Sequence, residues 1–342
     1  MDWRASLIAI TIAVTAAISP SRLFAQELRL IGSGASFPFP IYAAWFKDFS
    51  KQNNGVTVDY QAKGSGAGIQ DFTNRTVDFA GSDAAMTDEE IAKVADGVVL
   101  LPITAGEIVL AYNLPGSPKE LKLPRDVYPE IFLGKVTKWN DPRIVAANPN
   151  LKLPDLVITV VRRSDASGTN FVFTQHLSAI SPAFAKEVGS GTTVQWPKSD
   201  KIVGAPKNDG VTATIKQTPG TIGYIEYGYA KLTKADSALL QNKAGQYVQA
   251  DTKSGQAALT SATLDSHLRG WIEDPAGEDA YPIATFTWLL LYHKQDAKKA
   301  EWLRKLVDYC ATKGQSISDS LGYIPLPPAV VDKIKTASAQ IL

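Results

Sequence analysis

The chain has 342 residues, a length that predicts about two domains with room for a substantial core. Hydrophobic residues make up 45% and charged residues 20%, which is the composition of a folded globular protein and excludes collagen-like or disordered chains. The 35 Lys and Arg are interspersed with 34 Asp and Glu, so no basic field is available to hold a nucleic-acid backbone. The one cysteine, Cys310, excludes an intramolecular disulfide, and its helical apolar surroundings predict a buried, inert thiol.

The first residues have the pattern of a secretory signal peptide, 1–25. The apolar run 7–18 follows Arg4 and is too short to span a bilayer, and Ala25 offers a cleavage position. No cysteine that could be acylated follows this run, and no later apolar stretch approaches about 18 residues. We therefore expect an exported, soluble protein of a Gram-negative periplasm that is not anchored in the membrane.

Short aliphatic runs alternate with helical patterns along the rest of the chain. Strands are predicted at Leu28–Ile31, Val56–Tyr60, Val98–Leu101, Ile108–Tyr112 and Val157–Val161. Helices are predicted around 40–49, where Ile41, Ala44, Trp45 and Phe49 share a face and Pro40 suits the first turn, and at 301–311. The alternation predicts an α/β fold with mainly parallel sheets. Because no long linker separates two domains, we expect hinged domains joined by more than one strand.

Three segments share one design, in which a strand is followed by a turn rich in glycine and hydroxyl groups and then by a helix. They are 32–37, 64–68 and 165–169. The amino terminus of a helix presents free backbone N–H groups, and glycine allows a ligand to approach them closely, so each turn could bind an anion. Ordinary capping and turn chemistry is the better explanation of each segment when it is taken alone. An anion site is predicted only if the three segments converge.

Arg163 stands at the end of a predicted strand, just before the third of these segments. Its guanidinium offers a planar fork that matches two oxygens of a tetrahedral oxyanion, and Asp165 lies close enough in sequence to orient it. A surface ion pair is an equally good interpretation of this spacing.

Asp83 follows another strand-like run and is expected at the carboxyl edge of a sheet, where open α/β sheets bind ligands. Its alternative role is to cap the next helix, although Thr87 is the better cap. A carboxylate repels an anion unless the ligand still carries a proton to donate. Such a site would admit protonated phosphate and reject sulfate.

Six separated motifs, in order, give the chain a specific resemblance. They are Gly34-Ala35-Ser36-Phe37-Pro38, Tyr60-Gln61 with Gly64-Ser65-Gly66, Val77-Asp78-Phe79 with Ser82-Asp83, Leu133-Gly134-Lys135 with Lys138-Trp139, Val161 to Asp165 with Ser167-Gly168-Thr169, and Gly220 to Tyr227. From about Leu28 to the C-terminal region the sequence resembles the periplasmic phosphate-binding proteins of high-affinity phosphate ABC transporters.

This resemblance implies a two-domain periplasmic binding protein fold of type II. Lobe I would comprise 26–103 and 284–342, and lobe II 104–283, with the ligand enclosed in the cleft between them and with hinge strands joining the lobes. It implies that phosphate is held by Ser36, Phe37, Ser65, Asp83, Arg163, Ser167, Gly168 and Thr169, with Asp165 orienting Arg163. The family more often has threonine at position 36. A monomer that delivers phosphate to the permease of an ATP-driven transporter is expected, with no cofactor or metal and no enzymatic activity.

Two other functions remain open at this point. An exported phosphomonoesterase could use Ser167 or Ser36 as nucleophile, but His176, His267 and His293 are scattered, and each is expected at the surface or in a cap. A receptor for sulfate or molybdate would share most of the oxyanion-binding groups, and Asp83 argues against it. A nucleotide-binding loop at 64–68 lacks the Lys-Ser/Thr of a P-loop and the spacing of a dinucleotide fingerprint.

Overall fold

The computed structural model describes residues 27–342, so the predicted signal peptide lies outside the described residues. Its strands are β1 (Leu28–Gly34), β2 (Val56–Ala62), β3 (Phe79–Ser82), β4 (Val98–Tyr112), β5 (Lys122–Leu123), β6 (Thr159–Arg163), β7 (Ile202–Ala205), β8 (Thr221–Glu226), β9 (Asp236–Ser237), β10 (Leu239–Gln241), β11 (Tyr247–Val248) and β12 (Ala284–Tyr292).

The α-helices are α1 (Phe39–Gln52), α2 (Ser65–Thr73), α3 (Asp88–Ile91), α4 (Val127–Phe132), α5 (Pro142–Ala147), α6 (Gly168–Ile180), α7 (Pro182–Glu187), α8 (Lys207–Gln217), α9 (Tyr227–Thr233), α10 (Thr252–Leu259), α11 (Ala297–Ala311), α12 (Ser318–Leu321) and α13 (Pro328–Ser338). A 3₁₀ helix spans Lys313–Ile317. Within residues 27–342, none of the helices combines the length and the apolar character needed to cross a bilayer.

Nine strands form one mixed sheet in the order β2-β1-β3-β12-β4-β8-β6-β7, with β9 beside β4. The prediction of an α/β fold is confirmed, but that of mainly parallel sheets is wrong for the middle of this sheet. Pairing is parallel in the two outer parts and antiparallel from β3 through β12 and β4 to β8. The chain returns to the first part through β12, which runs against both of its neighbours. A smaller sheet has the order β11-β10-β5.

Strand β4 connects the two parts of the large sheet. Its first ten residues, 98–107, pair with β12, whereas 108–112 pair with β8. The sequence predicted two strands here because Pro102 and Gly106 interrupt the aliphatic runs. In the structure β4 is one continuous strand. Its partner β12 shifts register between Thr287 and Trp288, opposite Pro102, and the sheet thereby accommodates a proline inside the strand. We call the part with β2, β1, β3 and β12 the first wing, and the part with β8, β6 and β7 the second wing.

Helix α1 shows how the sequence pattern becomes packing. Pro40 lies in its first turn, and Ile41, Trp45 and Phe49 are buried with Tyr42 and Phe46, while Ala44 is only half-buried. The apolar face is thus broader than predicted. The indole N–H of Trp45 donates to the Gly314 carbonyl at 2.7 Å, which satisfies the polar atom of a fully buried ring. The same contact joins α1 to the segment that follows α11.

Candidate functional site

The carboxyl ends of three strands in the first wing meet at one edge of the sheet. Gly34 of β1 lies opposite Ala62 of β2 and opposite Gly81 of β3, so the turns that follow these strands are neighbours. In the second wing, β6 ends at Arg163 and β7 at Ala205, and these strands pair in register. The two sets of turns contact each other, and the three segments predicted from the sequence therefore converge.

The turn after β1 contributes Ser36 and Phe37, both fully buried. Ser36 Oγ accepts two hydrogen bonds from Asn208 of the second wing, one from its backbone N–H and one from Nδ2, each at 3.1 Å. The Phe37 carbonyl accepts from the Tyr323 hydroxyl at 2.7 Å, and the two rings make an edge contact. The Ser36 carbonyl accepts from Tyr229 at 2.6 Å. The turn is held by hydrogen bonds from three separate elements.

Ser65 begins α2 and is buried completely. Its Oγ accepts from the Asp83 N–H at 3.2 Å and lies 3.5 Å from Asp83 Oδ2. The preceding Gly64 has φ +101°, a conformation that disfavours any residue with a Cβ. The N–H of Gly66 donates to the Ala166 carbonyl at 3.0 Å, so the first turn of α2 contacts the second wing directly.

Asp83 is 2% exposed, and Thr87 is the cap of α3, with a complete capping box. The structure thus supports the first of its two sequence interpretations, a carboxylate at the sheet edge, over the role of helix cap. Its Oδ1 accepts from Thr287 Oγ1 of β12 at 2.8 Å. Burial raises the pKa of the Asp83 carboxyl from 3.8 to about 7, against the opposing effects of the Thr287 hydrogen bond and the Arg163 charge.

Arg163 and Asp165 form a two-bond ion pair. Nε and Nη2 of Arg163 donate to the two carboxylate oxygens of Asp165 at 2.8 and 2.5 Å. The Arg163 side chain is 1% exposed, which excludes the surface ion pair left open by the sequence. Burial opposes ionisation of Asp165, but Arg163 and the Lys207 N–H outweigh it and lower the pKa of that carboxyl. Nη1 of Arg163 is buried without a hydrogen-bond partner among residues 27–342.

The segment Ser167 to Thr169 starts α6 and is buried throughout. Ser167 Oγ accepts from the Asn170 N–H at 3.0 Å, the bond of an ordinary N-cap. Gly168 lies against the first wing, since a Cβ there would come within 2.4 Å of Ser65 Oγ and 2.7 Å of Asp83 Oδ2. Thr169 Oγ1 accepts from Asn208 Nδ2 at 3.1 Å.

Asn208 and Thr287 belong to this cluster and were not selected from the sequence. Asn208 follows β7 in a fourth strand-to-helix turn, whose Ala-Pro-Lys-Asn sequence lacks the glycine and hydroxyl groups of the other three. Thr287 lies inside β12, 204 residues from the carboxylate it contacts. The strand-to-helix turn after β7 is the signal that could have indicated Asn208, whereas Thr287 has no local signal.

The cluster combines features suited to a small tetrahedral oxyanion. One guanidinium has a free nitrogen, several hydroxyl groups are buried, and α2 and α6 begin there with their free N–H groups. Asp83 differs from these donors, because its ionised carboxylate can accept a hydrogen bond from a protonated oxygen of the ligand. The arrangement can therefore distinguish an oxyanion that carries a proton from one that does not.

The remaining titratable candidates lie elsewhere in the fold. His176 is buried, with Nε2 2.8 Å from the Tyr128 hydroxyl and Nδ1 2.7 Å from the Glu273 carbonyl, so the expectation of a surface or capping residue is wrong for it. Burial lowers the pKa of His176 to about 4. Cys310 is buried in α11, as predicted. In the part of the chain that the structure describes, no group of three or more His, Cys, Asp or Glu could hold a metal ion.

Comparisons with known proteins identify the family and agree with the fold. The model of the PBP superfamily domain matches residues 19–313. The phosphate-binding protein PstS of Haemophilus influenzae is 39% identical over 92% of this chain and 93% of its own length, and that of Pasteurella multocida is 38% identical over 98% and 95%. The chain therefore belongs to the PBP superfamily and, within it, to the family of phosphate-binding proteins named PstS.

A solved structure supports the architecture independently. The high-affinity periplasmic phosphate-binding protein PfluDING, solved with bound phosphate, superposes with a TM-score of 0.74 at 19% identity, covering 90% of this chain and 93% of that one. At this identity the likeness concerns the fold, which is the mixed α/β, two-lobe architecture of periplasmic binding proteins.

Proposed function

We propose that this protein binds inorganic phosphate between its two wings and delivers it to the permease of an ABC transporter. The observation that carries the proposal is the placement of a buried carboxylate, Asp83, in a cluster that otherwise presents hydrogen-bond donors. These include Nη1 of Arg163, which is unpaired in the part of the chain that the structure describes. A protonated phosphate oxygen can donate to Asp83 while the other oxygens accept. The family relationship supports the same ligand.

In this proposal each predicted site residue keeps the role that the resemblance implied. Phosphate oxygens accept hydrogen bonds from the Ser36 hydroxyl and Phe37 N–H of the first turn, from Ser65 of α2, from Arg163, and from the start of α6 at Ser167, Gly168 and Thr169. Asp83 accepts the ligand proton, and Asp165 holds the Arg163 fork. The burial of these residues and the contacts between the turns support one shared, enclosed site.

The two lobes proposed for closure are 26–103 with 284–342, and 104–283. The change of partner along β4, from β12 to β8 at residues 107 and 108, supports a hinge near that boundary. A ligand that contacts both lobes has a higher affinity for the closed state and shifts the population toward it. The contact between Gly66 and Ala166 is the kind of bond that forms only on closure.

Binding is tested by calorimetric titration of phosphate-stripped protein. We expect one phosphate per chain and at least about a hundredfold loss of affinity on Arg163→Ala, because a charged donor is removed from a buried site. The matched control is Arg162→Ala, next to it on β6, which should bind as the unaltered protein does. Absence of phosphate binding by the unaltered protein would refute the proposal, and titration with sulfate and molybdate would then be the next step.

Export and delivery are a separate part of the proposal. We propose that the mature protein is a periplasmic monomer, and the signal-like segment 1–25 supports its export. N-terminal sequencing of protein recovered from a periplasmic extract should begin at or near residue 26. Transport assays with and without the purified protein would then test delivery to the permease, and assays with a phosphomonoester should show no turnover.

A further inference from the structure

Asn208 occupies the second position of α8 and is fully buried. Its backbone N–H and Nδ2 each donate to Ser36 Oγ at 3.1 Å, and Nδ2 also donates to Thr169 Oγ1 at 3.1 Å. Its Oδ1 accepts from the Glu226 N–H at 2.9 Å. Because a backbone N–H can only donate, this last bond determines which side of the amide carries the NH₂ group. Every polar atom of the side chain therefore has a defined role.

The two bonds from Asn208 restrict what the Ser36 hydroxyl can do. A serine hydroxyl has two acceptor lone pairs and one hydrogen. Both lone pairs face donors on Asn208, so the hydroxyl can meet a third group only by donating its hydrogen. Thr169 Oγ1 accepts one bond from Asn208, which occupies one of its two lone pairs and favours donation of its hydrogen. Asn208 thus sets Ser36 as a donor and favours the same role for Thr169, as the oxygens of an oxyanion require.

We propose that Asn208 is a positioning residue that fixes the Ser36 hydroxyl as a donor to the bound anion, favours the same role for the Thr169 hydroxyl, and completes this arrangement only when the wings close. The inference rests on the proposed function, since it assigns a role within the same site. Asn208 does not have to touch the ligand, because it acts through the two hydroxyls.

The elements that hold Asn208 explain the link to closure. Its partners Thr169 and Glu226 belong to α6 and β8 of the second wing, beside its own helix α8. Ser36 belongs to the turn after β1 in the first wing. When the wings separate, the bonds to Thr169 and Glu226 can persist while those to Ser36 break. The amide is therefore preorganised in the open protein, and its two bonds to Ser36 favour the closed one.

The test compares phosphate affinity and release rate in three variants. Asn208→Ala removes the side-chain donor but keeps the backbone N–H, so we expect about a tenfold loss of affinity, mainly through faster release. Asn208→Asp has the same shape, but its carboxylate accepts hydrogen bonds where the amide donates them. The hydroxyls of Ser36 and Thr169 would then donate their hydrogens to this carboxylate and not to the anion. We expect Asn208→Asp to bind at least about tenfold more weakly than Asn208→Ala.

The double variant Ser36→Ala with Asn208→Ala separates positioning from general stability. If Asn208 acts through Ser36, the fold loss of phosphate affinity in the double variant is clearly smaller than the product of the fold losses in the two single variants. The control is Asn113→Ala, whose amide donates to the Ile215 and Lys216 carbonyls outside the site. This variant should lower the unfolding midpoint without changing the release rate. Should Asn208→Ala fail to fold, the isosteric Asn208→Asp and the single variant Ser36→Ala still test the inference.

Two results would overturn the role of Asn208. One is phosphate binding by Asn208→Ala and Asn208→Asp with unaltered affinity and release rate. The other is a double variant whose fold loss of phosphate affinity equals the product of the two single losses, which would indicate that Asn208 and Ser36 act independently. Either result, with tight binding by the unaltered protein, leaves the proposed function intact. If the unaltered protein does not bind phosphate, the proposed function itself fails, and the two failures are thereby distinguished.

Discussion

Arg163 and Asp165 form an ion pair in which two guanidinium nitrogens are bonded, while the third, Nη1, has no partner within residues 27–342. The pair is buried on the arginine side, and the Asp165 carboxylate also accepts from the Lys207 N–H at 2.9 Å. Asp165 is thereby fixed by α8 as well as by its partner. The geometry holds the guanidinium plane and leaves one donor for a ligand.

Replacing Asp165 with asparagine should weaken phosphate binding about tenfold, a change of about 1.4 kcal/mol. The amide can still accept one bond from Arg163 but cannot form the two-bond carboxylate pair, so the guanidinium loses its fixed orientation. Calorimetric titration measures the change. Asp209→Asn removes the same charge from an exposed position on α8, the helix whose Lys207 N–H contacts Asp165, and should leave the affinity unaltered. Unchanged binding by Asp165→Asn would show that Arg163 needs no orienting partner.

Gly168 of the second wing packs directly against Ser65 and Asp83 of the first wing. A methyl group there would overlap Ser65 Oγ and Asp83, with calculated approaches of 2.4 to 2.7 Å. Gly168→Ala should therefore prevent full closure and reduce phosphate affinity at least about a hundredfold. The open protein has no such overlap, so its unfolding midpoint without ligand should change little.

The matched control for this variant is Gly210→Ala on α8, where the nearest atom would be 3.1 Å away. It should bind phosphate nearly as well as the unaltered protein. Small-angle scattering with saturating phosphate should show compaction for the control but not for Gly168→Ala. Compaction and tight binding by Gly168→Ala would contradict the closed arrangement described above.

The pH dependence of sulfate binding should report the state of Asp83. Sulfate has no proton to donate, so closing over it requires a protonated Asp83. Burial between the wings raises the pKa of this carboxyl from its usual 3.8 to about 7, and opening of the cleft would relieve that burial. A group with a higher pKa in the bound state takes up a proton on binding, so sulfate affinity falls as pH rises across this window, by up to about tenfold per pH unit.

This dependence is measured by sulfate titrations between about pH 4.5 and 7. Asp83→Asn cannot ionise, and its sulfate affinity should be nearly constant over the same range. A flat profile in the unaltered protein, or an equal slope in both proteins, would mean that Asp83 does not face the anion.

The parts of the site that follow local rules could be predicted from the sequence. Asp83 and Arg163 stand at the ends of strand-like runs, and the helix that starts at Gly168 follows its turn as expected. Thr287 could not be found in this way, because its role depends on how distant elements pack. The turn after β7 could have indicated the place of Asn208, but not its contacts with Ser36 and Thr169. The broken aliphatic pattern at Pro102 concealed the continuity of β4, since the compensating register shift lies on another strand. His176 was misjudged because its partners, Tyr128 of α4 and the Glu273 carbonyl, are distant in sequence.

The most direct test of the central claim is calorimetric titration of the phosphate-stripped protein and of Asp83→Asn with phosphate and with sulfate near neutral pH. The unaltered protein should bind phosphate at least about a thousandfold more tightly than sulfate, because sulfate leaves the buried carboxylate unpaired. Asp83→Asn should reduce this preference by at least about tenfold, since the amide can also donate to an unprotonated oxygen. A preference for phosphate that is equally strong in Asp83→Asn, or none in the unaltered protein, would contradict the role assigned to this carboxylate.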